Sequence, residues 1–409
     1  MCDLNSDSFS PEDHDADAFE YISLSGVSEG MILRSEETPT EDAPSRAKRK
    51  TRTGDVLVGT VRPKQRSHGF VMEEHDGKVC STGFGVLRSG PNIHPSYLSQ
   101  EILAHRFFRQ MEAYVAGSGY PAVKLSDLRK HRIAVPPLEE QRKIASVLYN
   151  VDRAIQKTDD IIERTDRIKR GVAQDLLADG FNASGRKDIR LSAVDVTIPE
   201  HWDVVSVADV SKRITDGAHL TPDRSDEGHL LLSARNIKDS YIDLSDVDYV
   251  PKDEYQRLIQ KCHPEPGDVL ISCSGTVGRV CLVPDDLKFA LVRSTALIKL
   301  NDSLIPEFTE QLLQSSFVQK QITGYQTQSA QPNLFQGQIA SIEIPLPPVS
   351  EQHDIARMLS KFDEHRKIEN DYRSELRQFK RGLMQDLLSG EVRTADADIE
   401  ILDEVLEHG

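Results

Sequence analysis

PPLEEQRKIASVLYNVDRAIQKTDDIIERTDRIKRGVAQDLL occupies residues 136–177, and PPVSEQHDIARMLSKFDEHRKIENDYRSELRQFKRGLMQDLL occupies residues 347–388. At a constant offset of 211 the two stretches share Pro-Pro, a Glu-Gln pair (Glu140 and Gln141, Glu351 and Gln352), Ile-Ala, Leu148 with Leu359, Asp152 with Asp363, Lys-Arg-Gly and a closing Gln-Asp-Leu-Leu. A repeat this long, with matched ends, means that the chain is written twice from one plan.

Each copy reads as one long helix. The prolines stand just before the periodic pattern, where a missing N–H costs nothing, and Glu139, Glu140 and Glu351 fall in the first turn, where carboxylates favour the positive helix end. Steps of three and four give Ile144, Leu148, Val151, Ile155, Thr158, Ile162, Val172 and Leu176 in the first copy. The second gives Ile355, Leu359, Phe362, Tyr372, Leu376, Phe379, Leu383 and Leu387, with His365 and Ile368 across the middle. One apolar seam at near-heptad spacing on a charged surface predicts a coiled-coil partner, and the two helices are each other's natural partners. Gly390 and the Gly180 region mark the ends. At about 1.5 Å per residue, roughly 40 residues make a rod of about 60 Å.

The duplication extends upstream. Gly54-Asp55-Val56-Leu57-Val58 matches Gly267-Asp268-Val269-Leu270-Ile271, Ser81-Thr82 matches Ser294-Thr295, His94-Pro95 matches Ile305-Pro306, and Pro121 matches Pro332. Each copy is therefore a mixed strand-and-helix domain followed by a long helix. In the second, strands are expected at Leu230 to Leu232, Val269 to Ser272, Arg279 to Val283 and Ala296 to Leu300, each β-rich and punctuated by Gly, Pro or Asp. The first is shorter by roughly 30 residues at its front. Nothing in it matches Trp202 or the segment from Lys212 to His219, and its Phe19-to-Leu24 stretch aligns best with Leu230 to Ile237.

The Pro-Pro-x-x-Glu-Gln starts, preceded by Ile344-Pro345-Leu346 and more loosely by Ile133-Ala134-Val135, together with the Lys-Arg-Gly-x-x-Gln-Asp-Leu-Leu ends and the domain opening Ile198-Pro199-Glu200-His201-Trp202, resemble the specificity subunit of type I restriction-modification enzymes. The resemblance runs from about residue 19 to 390. It implies an α+β fold: two pseudo-repeated target-recognition domains of mixed strands and helices, separated by two long antiparallel coiled-coil helices. The implied organisation is an acidic disordered tail (1–18), a first target-recognition domain with a shortened front end (19–135), a first spacer helix (136–180), a polar linker with Asn182, Ser184 and Gly185 (181–197), a second target-recognition domain (198–346), a second spacer helix (347–390) and an acidic tail (391–409).

It also implies a function without catalysis of its own. Each domain would read one half of a split, asymmetric double-stranded DNA site, with the helices as the ruler between halves. Two methyltransferase subunits and two restriction/translocase subunits would be the partners, and S-adenosylmethionine, ATP and Mg would belong to them. The alternatives are a coiled-coil scaffold that joins proteins without reading DNA, and a partial subunit that reads one half-site.

Composition sets the bounds. The formal net charge is −16, but residues 1–20 hold seven acids and no Lys or Arg, and residues 391–409 hold seven acids and one Arg. The body is thus near neutral and compatible with local phosphate-binding patches. Five cysteines, an odd number without CxxC spacing, read as free thiols. No signal-peptide pattern and no apolar run of membrane-spanning length is present, so a cytoplasmic chain is expected. There is no Gly-x4-Gly-Lys-Ser/Thr phosphate loop and no Asn-Pro-Pro-aromatic motif, which argues against ATP hydrolysis or adenine methylation by this chain, and Cys262-His263 has no second pair for zinc.

Candidate DNA contacts are cations and small-residue loops. Arg46, Lys48, Arg49, Lys50 and Arg52 form a basic run, followed by Arg62, Lys64 and Arg66; the run reads either as a phosphate-gripping loop or as a solvated one. In the second domain the Ser272-to-Arg279 loop offers close backbone approach at Ser274 and Gly275 and a guanidinium at Arg279, or else is an ordinary tight turn. Thr215, Asp216, Gly217, Arg235 and Asn236 complete the set. For methyltransferase docking the candidates are Lys169, Arg170, Gln174 and Asp175, beside Gly171, and their copies Lys380, Arg381, Gln385 and Asp386, beside Gly382, because one surface repeated twice suits a partner bound twice. The other reading is that they close the coiled coil.

Overall fold

The computed structural model describes residues 2–115, 121–181, 185–192, 194–326 and 333–407, so Pro332, Asn182 and Ser184 lie outside the described residues. The chain divides into two compact units, residues 1–159 with 371–409, and residues 160–370. Each takes in half of each long helix, so the boundary crosses the helices instead of following the expected domain limits.

The helices run over Leu138–Asp179 and Val349–Ser389. Each closes at a glycine with left-handed φ, +63° at Gly180 and +79° at Gly390, the conformation that lets the last turn's carbonyls find donors without a Cβ clash. Both Glu-Gln pairs act at the starts. Gln141 Oε1 accepts the His94 N–H while Nε2 donates to the carbonyls of Asn92 and Pro136. Gln352 does the same with the Ile305 N–H and the carbonyls of Ser303 and Pro347. A buried amide thus fastens each helix to the loop that opens its unit's helical pair, satisfying three backbone groups that burial would otherwise leave unpaired.

The unit-1 fold pairs two sheets. One orders its strands Cys2–Leu4, Phe84–Ser89, Val56–Gly59, His68–Phe70, and the other Glu36–Pro39, Ala18–Ile22, Val79–Ser81, Ala47–Lys50. Unit 2 repeats them as Ser211–Asp216, Thr295–Leu300, Val269–Ser272, Val280–Leu282 and as Asp248–Val250, His229–Leu232, Phe289–Leu291. In both units the second sheet joins one antiparallel and one parallel neighbour to its Ala18–Ile22 or His229–Leu232 strand, so the expected alignment of Phe19 with the Leu230 region holds in strand pairing. Helix pairs follow, Pro95–Leu103 with His105–Ala113 and Pro306–Gln314 with Ser316–Gln326. They pack equivalent residues on the long helices: Tyr97, Ile144 and Leu148 in one core, Phe308, Ile355 and Leu359 in the other.

Four expectations are corrected. Residues 1–18 are not a disordered tail: Cys2–Leu4 pairs with Leu87–Ser89, and Phe9 is buried with Phe19, Ala47 and Val79. This short strand stands where unit 2 has Ser211–Asp216, so unit 1 does have a counterpart to that segment. What it lacks among the described residues is the pairing of Asp203–Ser206 with Glu343–Leu346, and Trp202. Residues 391–407 are not a free tail either: Arg393 and the Thr394 N–H bind Glu140, Leu402 N–H donates to Ser146 Oγ, and Val405 is buried beside Ile144 and Leu148. The linker expected over 181–197 instead carries the hairpin strand Arg186–Leu191, paired with Val194–Pro199, which runs on into the second domain.

The fourth correction concerns the seam. Ile368, Tyr372 and Phe379 are 65%, 50% and 58% exposed and so are not part of it. The middle of the pairing is ionic. In unit 1, Asp152 meets Lys380 at 2.7 Å and Asp159 meets Arg373 at 2.7 Å; in unit 2, Asp166 meets Arg366 at 3.5 Å and Lys169 meets Asp363 at 2.7 Å. As the number rises on one helix it falls equally on the other, which is antiparallel pairing. Asp152, Asp159 and Asp166 recur every seven residues, as do Arg366, Arg373 and Lys380, so the heptad carries charge where apolar residues were expected.

Lys169 and Asp363 are largely buried, and Gln311 Nε2 donates to Asp363 at 3.0 Å, as Gln100 Nε2 does to Asp152. Glu310 lies in the same cluster, where burial, reinforced by Asp363 and opposed by Lys169, the Leu282 N–H and Arg366, pushes its carboxyl up to about 7. Removing one member of such a pair strands the other. Asp363→Ala is expected to destabilise unit 2 by about 2–4 kcal/mol in urea unfolding, whereas Lys169→Met with Asp363→Leu is expected to recover most of that loss.

Candidate nucleic-acid interface

The unit-1 candidates fall on two different sheets. The basic run forms the outer strand Ala47–Lys50, not a loop, because residues 7–9 bond along it: Phe9 N–H to Lys48 O and Lys50 N–H to Asp7 O. Arg49 is partly buried, Lys50 lies 5.9 Å from the Phe9 ring centroid, and Arg52 is held by Asp7 at 2.7 Å. Arg46 and Lys48 remain exposed.

Arg62, Lys64 and Arg66 sit instead on the connection from Val56–Gly59 to His68–Phe70. Arg62 and Lys64 are exposed; the Arg66 guanidinium lies over the Phe108 ring, 4.7 Å from its centroid. In unit 2 the matching connection, from Val269–Ser272 to Val280–Leu282, carries Ser274, Gly275 and Arg279. Ser272 Oγ braces it by donating to Thr276 O and accepting from the Arg279 N–H. An isolated bridge pins each loop to the segment leading into the next helix, Val61 to Ala122 and Ser274 to Asn333. The sequence reading picked out both loops, and the fold places them at the same site in each unit.

Other unit-2 candidates have structural duties. Asn236 is 2% exposed: its Oδ1 accepts the Ser233 N–H, and its Nδ2 donates to the carbonyls of Asp243 and Asp246. Gly217 is glycine because a Cβ would come within 2.2 Å of the Leu291 carbonyl oxygen. Both are buried and take part in shaping the unit. Arg235 is held by Asp246 and Asp248. Asp216 Oδ1 accepts from Gln336 Nε2 and stands 3.1 Å from His219 Nε2, while the Thr215 hydroxyl is 3.5 Å from the Asp216 carbonyl. Exposed Phe335 and Leu220 lie next in sequence to this group, and sequence reasoning missed both, since lone apolar residues carry no periodic signal.

The docking candidates divide. Lys169 and Lys380 are taken up by the ionic pairing with Asp363 and Asp152, so they are corrected to helix-pairing residues. Arg170, Gln174, Asp175, Arg381 and Gln385 are exposed and Asp386 half-buried, beside Gly171 and Gly382, around which a Cβ would meet nothing within 4 Å.

A model of the family described as Type I restriction modification DNA specificity domain matches residues 35–164 and again 199–378. The chain belongs to this family. Two curated members resemble it over two thirds or more of their length. It is 25% identical over 293 residues to the type I restriction enzyme MjaVIII specificity subunit of Methanocaldococcus jannaschii, covering 69% of this chain and 67% of that one. It is 25% identical over 347 residues to the putative MjaX specificity subunit of the same organism, covering 83% and 79%. Two solved structures share the fold. A chain from work described as the structural basis of complex assembly and conformational transition of the type I R-M system aligns with TM-score 0.55 at 21% identity, over 94% of this chain and 95% of that one. The S subunit of M. genitalium aligns with TM-score 0.53 at 14% identity, over 95% and 93%.

As a specificity subunit, the chain should separate residues that shape a loop from residues that read DNA. Asn236→Ala is expected to lower stability by about 2–3 kcal/mol by stranding buried backbone groups, with the recognised sequence unchanged when binding is measured on random duplex pools.

Proposed function

We propose that this chain reads a split, asymmetric double-stranded DNA site, one half by each unit, and directs methyltransferase and restriction subunits to it. The observation that carries the reading is the repeated frame: two units of matching strand order each place a polar loop at the same strand connection, with different side chains on it. An equal backbone with unequal loops suits two half-sites of different sequence. Phosphate contacts would supply most of the affinity and base edges the selectivity.

Catalysis falls to the partners. Two methyltransferase subunits would bring S-adenosylmethionine, and two translocase-nuclease subunits ATP and Mg; this chain supplies the address. The docking faces proposed are Arg170, Gln174 and Asp175 around Gly171, and Arg381, Gln385 and Asp386 around Gly382. A glycine inside a helix costs about 1 kcal/mol relative to alanine, and among the described residues no side chain approaches either one closely enough to require it. A partner seated against a bare stretch of helix would require it.

Exchange of residues 198–346 for those of another specificity subunit is expected to alter one half of the consensus selected from random duplex pools and leave the other as it was. A change in both halves, or no consensus for the parent complex, would contradict the proposal; the second result would favour a protein-joining scaffold. Gly171→Leu and Gly382→Leu are each expected to leave one methyltransferase copy bound, and the double variant none, when the purified complexes are weighed by native mass spectrometry.

A further inference from the structure

The segment bridged to each loop ends on a side chain that the fold does not use. In unit 2 the Leu334 N–H donates to the Cys273 carbonyl at 2.9 Å, and Leu334 itself is buried. In unit 1 the Val123 N–H donates to the Thr60 carbonyl at 2.8 Å, and Val123 is buried likewise. The next residue is Phe335 in one unit and Lys124 in the other, which the repeat aligns at the offset of 211. Both are extended, with φ −97° and ψ 155° at Phe335 and φ −72° and ψ 147° at Lys124, and each stands just before a short helix, Gln336–Ala340 or Leu125–Leu128.

A single exposed phenylalanine is ordinary on a protein surface. Two observations set this position apart. It is the residue that caps its helix, where Ser, Thr, Asp or Asn would accept a free N–H of the first turn; Phe has no acceptor to offer and Lys only donors. It is also held still. The Phe335 N–H donates to Gln338 Oε1 at 2.9 Å, and the neighbouring Gln336 side chain donates to Asp216. The ring, 62% exposed, meets no other ring and no cation among the described residues. Each unit thus fixes the backbone two residues after its bridge residue, Asn333 or Ala122, gives up a cap there, and exposes a side chain of different chemistry beside the loop.

We propose that Phe335 is a sequence-reading residue of unit 2, seating its ring against the C5-methyl group of a thymine in the major groove. The family model described as a DNA specificity domain spans both the loop and Phe335, which supports DNA as what covers the ring. The thymine methyl is the apolar group that the major groove displays, and phenylalanine is among the side chains that pack on it. Insertion between base pairs would also cover a ring, but it costs unstacking and a bend. A ring on a braced backbone beside a groove-reading loop meets a methyl without either. Lys124 brings a cation to the same place in unit 1, suited to guanine O6 and N7 or to phosphate, so one position of a common frame makes the two half-sites unequal. The proposal rests on the reading of each unit as a DNA reader and adds a residue and the group it recognises.

The test uses the parent, Phe335→Ala and Phe335→Ser, each co-purified with its methyltransferase partners. Selection from random duplex pools gives the consensus; binding is then measured on duplexes in which each consensus thymine is replaced in turn by deoxyuridine, which removes only the methyl. The parent is expected to bind roughly three- to tenfold more weakly with uridine at one position of one half. Both variants are expected to bind the thymine duplex as weakly as the parent binds that uridine duplex, to be indifferent to the exchange there, and to leave the other half unchanged. Phe335→Ser is expected to melt no lower than the parent, since serine can cap the helix. The assignment is overturned if no single uridine weakens the parent more than the variants. Equal weakening of the variants on every duplex would then mark a wedge between bases, a lower melting temperature with an unchanged consensus a structural role, and an unchanged consensus with a methyltransferase copy lost a protein contact. Those results spare DNA reading by the units, whereas no consensus for the parent would refute both.

Discussion

The structure depends on a ladder of charge between two helices of the same chain. Aspartates at seven-residue intervals on one face Lys and Arg at seven-residue intervals on the other, each pair lying within one unit. Ion pairs set register more sharply than leucines do, because an apolar seam tolerates a slip of one turn, whereas a slipped Asp152 or Asp363 would leave a cation without its anion in a partly dry environment. Gln100 and Gln311 then carry the same carboxylates to the first helix after each sheet, so the register of the pair also fixes where each unit's own helices sit.

The repeated Glu-Gln pair has a second function at each helix start, where the glutamate binds the segment that follows the other long helix in the same unit. The glutamine does the same work in both copies, but the glutamate does not. Glu351 accepts from the Phe181 N–H, His201 and the Trp202 indole, and these bonds lower its pKa against the opposing effect of burial. Glu140 is bound by Arg393 and the Thr394 N–H, with the Arg393 guanidinium the main cause of its lowered pKa. One anchor residue has thus been fitted to two different covering segments. It is the same economy seen in the loops, where a constant frame carries changed side chains.

That pattern bears on how specificity can diverge within one chain. The strands that hold the loops, Val56–Gly59 and Val269–Ser272, are buried throughout and both begin Val-Leu. On the loop between the unit-2 strands, Gly275 stands where a Cβ would meet nothing within 4 Å.

The sequence by itself determined the duplication, the two long helices with their glycine stops, the positions of four strands in the second domain and both candidate loops. All of these are local or periodic properties, legible because they repeat. Only the tertiary structure decided which charges face each other, since an antiparallel register pairs Asp152 with Lys380 across more than two hundred residues and no local pattern states it. It likewise decided that Leu4, Phe9 and Val405, scattered among acids, are covered, because sparse apolar residues acquire meaning only when a partner surface buries them. Asn236 and Lys169 looked like surface chemistry and proved to be internal fasteners for the same reason: a polar side chain shows its purpose in its hydrogen-bond partners, and those are brought to it by the fold.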